Sequence, residues 1–216
     1  MRALFKKCGY ATDFRILNAS DYGVLQNRKR IILIGFHGEK ADFYPQIPVV
    51  KDAHKVGELF CDLPSIKAGE GVITPVKTTH YTGKYLFSAR IKEYDEEPVT
   101  FHQARPNTAQ DLEIYRIVVD TWNRSKTRVS YTDLPERLRT HNNTKSFLDR
   151  FKVVAGNLPY AQTVVAHISR DGHYFIHPDI KQNRSITPRE AARIQTFPDN
   201  YFFESVTGRP SRTLAY

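Results

Sequence analysis

Residues 17–36 read Leu17-Asn18-Ala19-Ser20-Asp21-Tyr22-Gly23-Val24-Leu25-Gln26-Asn27-Arg28-Lys29-Arg30-Ile31-Ile32-Leu33-Ile34-Gly35-Phe36, and the second half of this stretch decides the fold class. Ile31 to Phe36 is a continuous apolar, largely β-branched run ended by His37-Gly38. That is the pattern of a strand buried on both faces, as in the sheets of α/β proteins. Upstream, Thr12 to Leu17 alternates polar and apolar residues, which predicts another strand, with Asn18 to Asn27 as the polar turn between them. Residues 2–8 read as the end of a helix, with Gly9 just past it. The opening of the chain therefore predicts the edge of an α/β sheet without its other strands.

Working outward, the 216 residues suit one large domain or two small ones. Hydrophobic residues make up 40% and charged residues 25%, too apolar for a disordered tail and too polar for a membrane protein. No apolar run approaches the roughly 18–20 residues needed to span a bilayer. The N-terminus has no apolar segment of the signal-peptide kind. Two cysteines, Cys8 and Cys61, exclude a disulfide framework and a cysteine-rich zinc site, and a cytoplasmic location is expected. Eight histidines include His167, His173 and His177 close together, but without thiol or carboxylate companions at ligand spacing. Lys and Arg total 32 against 23 Asp and Glu, a net charge of +9, which favours polyanionic partners. The excess is concentrated in Arg124, Lys126, Arg128, Arg137, Arg139, Lys145, Arg150 and Lys152, opposed only by Asp133, Glu136 and Asp149.

Beyond Tyr44 the chain is rich in loops to Arg105, punctuated by prolines. Gly69-Glu70-Gly71 neither follows a strand nor opens a helix, so it reads as a turn rather than a phosphate loop. Leu112, Tyr115, Val118, Val119 and Trp122 share one face of a helix over 109–123, started by Thr108 and Asp111 as an approximate capping box. A second, basic helix is predicted around 135–150. Residues 162–177 predict a hairpin, with Thr163 to Ile168 and Tyr174 to Ile176 flanking Arg170-Asp171-Gly172. Thr187-Pro188-Arg189-Glu190 is a full helix start, with Thr as N-cap, Pro at the first position and Glu at the third.

The residues that carry chemistry lie at the entry to the apolar strand. Gln26, Arg28 and Arg30 alternate, so they project to one side of an extended backbone. A guanidinium donates two parallel hydrogen bonds and keeps its charge, which suits a phosphate or a base carbonyl. On pattern alone a basic patch that blunts a strand edge fits equally well. The surroundings decide. Gly9-Tyr10, then Leu17 to Arg30, then Ile31 to Gly35, closely resembles the eighth conserved motif of the C5-cytosine DNA methyltransferases, with Leu25 where that family usually has Pro. Arg184-Ser185-Ile186-Thr187-Pro188-Arg189-Glu190-Ala191-Ala192-Arg193-Ile194-Gln195-Thr196-Phe197-Pro198-Asp199 resembles the ninth motif nearly residue for residue. Thr163-Val164 sits where family members carry a similar pair in the target recognition domain. The three signals occur in the family's order.

The resemblance implies an enzyme that flips cytosine out of double-stranded DNA and methylates it. Arg30 would donate to the cytosine O2 as charge develops, Arg28 would support the pocket or a phosphate, and Gln26 would contact the DNA near the flipped nucleotide. Thr163 and Val164, with Ser169, Arg170 and Asp171 of the turn, would face the major groove, where Arg pairs with guanine and Asp with cytosine. Arg184, Thr187, Arg189, Glu190 and Arg193 would brace the recognition domain against the sheet. The fold implied is part of a Rossmann-like, S-adenosylmethionine-dependent α/β sheet at 1–45, a small mixed α+β target recognition domain at 46–180, and a helical return at 181–216.

Other parts of that family's equipment are absent. Neither cysteine follows a proline, no Glu-Asn-Val segment occurs, and no glycine-rich loop follows a first strand to hold S-adenosylmethionine. The tenth motif is also absent. The chain therefore resembles the C-terminal half of such an enzyme, either a fragment or one subunit of a split enzyme whose partner polypeptide supplies nucleophile and cofactor, and alone it is expected to be inactive. A non-catalytic, sequence-specific DNA-binding module is the alternative.

Overall fold

The computed structural model describes residues 1–38, 43–50, 53–170 and 172–203, apart from the side chains of His167 and Ser169. Asp171 and residues 204–216 of the expected helical return lie outside the described residues.

A short helix α1 (Arg2–Lys7) leads into strand β1 (Tyr10–Asn18), which pairs antiparallel with β2 (Lys29–His37). The pairing runs from Tyr10 opposite His37 to Asn18 opposite Lys29. The polar turn between them contains a single 3-10 turn at Ala19–Asp21. Both strands lie where the hydropathy pattern puts them, but the burial expected of Ile31 to Phe36 is not observed. Ile31 is 66% exposed, and Ile32 and Phe36 are also exposed. The reason is that β1 and β2 form a two-stranded sheet, so residues suited to the middle of a sheet have no third strand beside them among the described residues.

Downstream, β3 (Gly71–Val72), α2 (Tyr85–Ser88) and β4 (His102–Gln103) punctuate the loop-rich stretch, with β3 and β4 paired. Helix α3 (Ala109–Ser125) is the longest element, and Thr108 and Asp111 form the expected capping box. Its stripe of Ile114, Tyr115, Val118 and Val119 packs on Val129, Tyr131, Leu134, Leu138, Phe151 and Ile176. The last helix, α4 (Pro188–Ile194), starts on the Thr187–Glu190 capping box. It joins a second core that draws Leu25, Val56, Leu59, Tyr85, Leu86, Ile91, Val164, Phe175 and Ile186 around Ala191 and Ile194.

Two expected elements do not form. The basic stretch 135–150 contains only a 3-10 turn at Glu136–Leu138. The Asn143 carboxamide oxygen accepts from the Lys145 and Ser146 amides, and such local side-chain bonding competes with a helix. The hairpin over 162–177 is also absent. Residues 166–169 form a 3-10 turn, and Ile176 pairs with Val153 and Ser185 instead of with the 163–168 segment.

Candidate functional site

The segment before β2 is docked by its backbone onto residues 161–164. The Ala161 amide donates to the Leu25 carbonyl at 2.9 Å, and the Asn27 amide donates to the Ala161 carbonyl at 3.0 Å. Side chains complete the join. The Thr163 hydroxyl donates to the Asn27 carbonyl at 2.5 Å, and Arg28 Nη1 donates to the Val164 carbonyl at 2.9 Å. The Tyr85 hydroxyl fixes the approach, donating to the Gly23 carbonyl and accepting from the Leu25 amide. Segments 136 residues apart in sequence thus share one small surface.

Along this surface the three alternating residues grade from core to solvent. Gln26 is 1% exposed, and its Nε2 has no hydrogen-bond partner among the described residues. Arg28 is half-buried, and its guanidinium pKa is held below the usual value by burial and by the neighbouring Arg30 charge. Arg30 is exposed at the start of β2 and, among the described residues, donates only to its neighbour's carbonyl, that of Lys29, at 2.7 Å. Two guanidiniums close enough to repel leave a positive site that an anion or an electron-rich oxygen would relieve.

The structure separates the other site residues. Thr163 is half-buried beside Arg28. Val164 is 7% exposed and packs in the core, so its side chain does not offer the groove-facing surface expected of it; its carbonyl is the part that acts, as the acceptor for Arg28. Arg170 is exposed. It belongs to no hairpin, because the Arg105 guanidinium reaches across to the carbonyls of Ile168 and Arg170 and curls the segment. Arg105 carried no signal in its proline-rich surroundings. The Ser169 side chain and Asp171 lie outside the described residues.

The second sequence motif is built inward. Arg184 forms a two-pronged ion pair with Glu190, both N···O distances 2.7 Å, and both residues are fully buried. Arg193 lies between Asp62 and Asp199, and Lys92 also reaches Asp62 at 2.7 Å. Arg189 donates to Thr100 and to the Pro198 and Tyr201 carbonyls. These side chains hold α4 against the 59–62 and 78–101 loops. The motif itself gave no hint of Asp62 or Lys92.

The chain's one Gly-x-Gly, Gly69 to Gly71, is a turn leading into β3, and the His102 carbonyl leaves no room for even a methyl group at Gly71. Burial and the adjacent Asp62 push the Cys61 pKa up, whereas a nucleophile needs a thiolate. Among the described residues no three His, Cys, Asp or Glu side chains are grouped to hold a metal, and no helix is long and apolar enough to cross a membrane.

Comparison with known proteins shows the family. A family model described as C-5 cytosine-specific DNA methylase matches residues 1–213. Type II methyltransferase M.Bpa9945I of Bacillus paralicheniformis is 42% identical over 200 residues, covering 88% of this chain and 44% of that protein. Type II methyltransferase M.DdeI of Desulfomicrobium norvegicum is 28% identical, covering 93% of this chain and 47% of that protein. Type II methyltransferase M1.HphI of Haemophilus parahaemolyticus is 26% identical, covering 92% and 42%. The chain spans less than half the length of these relatives.

Proposed function

Given that this chain belongs to the C-5 cytosine-specific DNA methylase family, we propose that it is the DNA-recognising and base-contacting portion of a DNA (cytosine-5) methyltransferase. The observation that carries this reading is the docking of Leu25–Arg28 onto Ala161–Val164, with Arg28 bound to the Val164 carbonyl. It holds a positive pair beside the segment that the family uses for target recognition.

Arg30, exposed and spent on no acidic partner among the described residues, is the donor to the extruded cytosine. A preorganised cation there stabilises the charge that develops on O2 when the ring is attacked. Arg28 is the positioning residue that ties the base site to the recognition segment. Thr163 fixes the backbone at Asn27, and Gln26 holds an unspent amide donor beneath the site. Exposed Arg170 reads the groove. The methyl donor, S-adenosylmethionine, and the attacking cysteine belong to polypeptide beyond these residues, packed against the bare apolar face of the β1–β2 ribbon.

The test combines binding with complementation. The chain should bind duplex DNA with an affinity that falls steeply with salt. Mixed with the portion of M.Bpa9945I outside the match, it should transfer methyl groups from labelled S-adenosylmethionine to DNA. Arg30→Ala should lower that transfer by roughly a hundredfold while leaving the unfolding midpoint of the chain unchanged. No DNA binding at low salt would overturn the proposal. Binding without any restored transfer would point to a non-catalytic DNA-binding module.

A further inference from the structure

Phe147 is a large aromatic residue held in the left-handed region, φ 54°, and left 68% exposed. Neither feature suits a passive loop, because a bulky side chain at positive φ is strained and an exposed phenyl ring is hydrated at a cost. The loop beneath it is built to hold that arrangement. Arg150 is 8% exposed and faces inward. It donates to the carbonyls of Asn143, Ser146 and Phe147, and its guanidinium stacks 3.9 Å above the Tyr131 ring. The Tyr131 hydroxyl in turn accepts the His141 amide. Asn143 closes the loop by bonding Lys145 and Ser146.

The ring borders a cavity of about 430 Å³ whose opposite wall includes Val165, His173 and Tyr174. Val165 directly follows Val164, the acceptor of Arg28, so the cavity adjoins the candidate site. Cations flank these lining residues along the chain. Lys145 and Arg139 are exposed and have no carboxylate partner among the described residues, and Lys152, paired with Asp149 at 2.6 Å, lies 4.6 Å over the Tyr174 ring. An exposed aromatic ring next to two exposed cations without a carboxylate partner among the described residues suits a nucleic-acid surface, where an apolar side chain wedges between base steps and cations meet phosphates.

We infer that the 141–150 loop is a second DNA-contacting element, in which Phe147 wedges into a base step of the bound duplex and Lys145 and Arg139 meet its phosphates. The inference rests on the DNA-binding reading above and adds a specific residue to it. Phe147 acts by shape and π-face, so its removal weakens binding without removing a phosphate contact, whereas removing Lys145 makes the salt dependence shallower.

The experiment uses the full chain and a fluorescein-labelled duplex of random sequence, titrated at several salt concentrations. Phe147→Ala should weaken binding by about tenfold with an unchanged salt slope, and Phe147→Tyr should restore it. In a Trp122→Phe background, Phe147→Trp should show indole quenching that saturates with duplex and is absent with heparin, a polyanion without bases. Equal affinity of wild type and Phe147→Ala, or equal quenching by heparin, overturns the inference and leaves the wider reading standing. Failure of the wild-type chain to bind any duplex overturns both. Unchanged DNA affinity with a loss of self-association in Phe147→Ala assigns the ring to protein contact and also overturns it.

Discussion

At the scale of single residues, the buried charges around α4 make the molecule sensitive to acid. His177 is 4% exposed and packed 5.6 Å from the Phe60 ring. Its Nδ1 accepts the Asp179 amide, so the neutral ring carries its proton on Nε2, facing Glu190 at 3.6 Å. Burial pushes its pKa down to about 4; Glu190 and Asp179 oppose the shift, while Arg184 and His102 reinforce it. The unfolded chain therefore takes up a proton on this ring as pH falls below about 6.5, and the native chain does not until about 4. Stability is full above pH 6.5 and is lost on acidification through that window, by roughly 3 kcal/mol. A His177→Gln variant should show a flatter dependence of the urea midpoint on pH between 4 and 6.5, and an unchanged slope would exclude this ring as the cause. The carboxylates add a lower limb. Burial opposes the charge on Glu190, but Arg184 overcomes it and the pKa lies below the usual carboxylate range. Asp62 is likewise held down by Arg193 and Lys92 against the effect of its burial. Asp62→Asn leaves two buried cations without that carboxylate, and should cost about 3–5 kcal/mol of unfolding free energy.

At the scale of elements, the helix ends are where the chain is most easily improved or broken. Helix α3 ends on Lys126 at φ 57°, a left-handed position that glycine fills without a steric penalty. Lys126→Gly should raise stability by about 0.5–1 kcal/mol, read as a higher thermal midpoint. Thr187→Ala removes both the α4 cap and a buried contact to His102 Nδ1, and should cost about 1–2 kcal/mol. These two helices were legible in the sequence because their signals are local: a capping pair at three-residue spacing and a 3.6-residue stripe. The strands of the ribbon were legible for the same reason, as was the helical turn at 2–7. The hairpin and the basic helix were not, because distant groups decide both. Arg105 curls residues 166–170 from across the fold, and Tyr131 anchors a guanidinium that rigidifies the 143–147 loop. The candidate site divides in the same way. Its arginines follow from the alternation before β2 and from the resemblance, whereas the burial of Val164 and the partnership of Arg28 with its carbonyl depend on a contact spanning 136 residues.

At the scale of the whole molecule, the β1–β2 ribbon presents an unfinished surface. Ile16 and Ile31 face each other across the strands and are 65% and 66% exposed, and Phe14 beside them is 43% exposed. On this face Arg2 of α1 reaches only as far as the Phe14 ring. The opposite face is better covered, with Tyr44 buried under Arg15 and the Phe43 ring tilted against Phe36. Adjacent apolar residues on an uncovered ribbon promote edge and face association, so the isolated chain should self-associate as its concentration rises. Replacing Ile16 and Ile31 together by Thr keeps the β-branched shape while removing apolar surface. Because neither residue is buried, the double variant should keep the thermal midpoint within a degree or two of the wild type, as expected for exposed positions, and should sediment as a smaller species. The same variant tests the proposed docking of a complementing polypeptide on this face. If the complementing part of M.Bpa9945I packs on this face, the substitutions should weaken complementation several-fold while leaving DNA affinity of the chain alone unchanged. Complementation at full strength would show that the complementing polypeptide docks elsewhere.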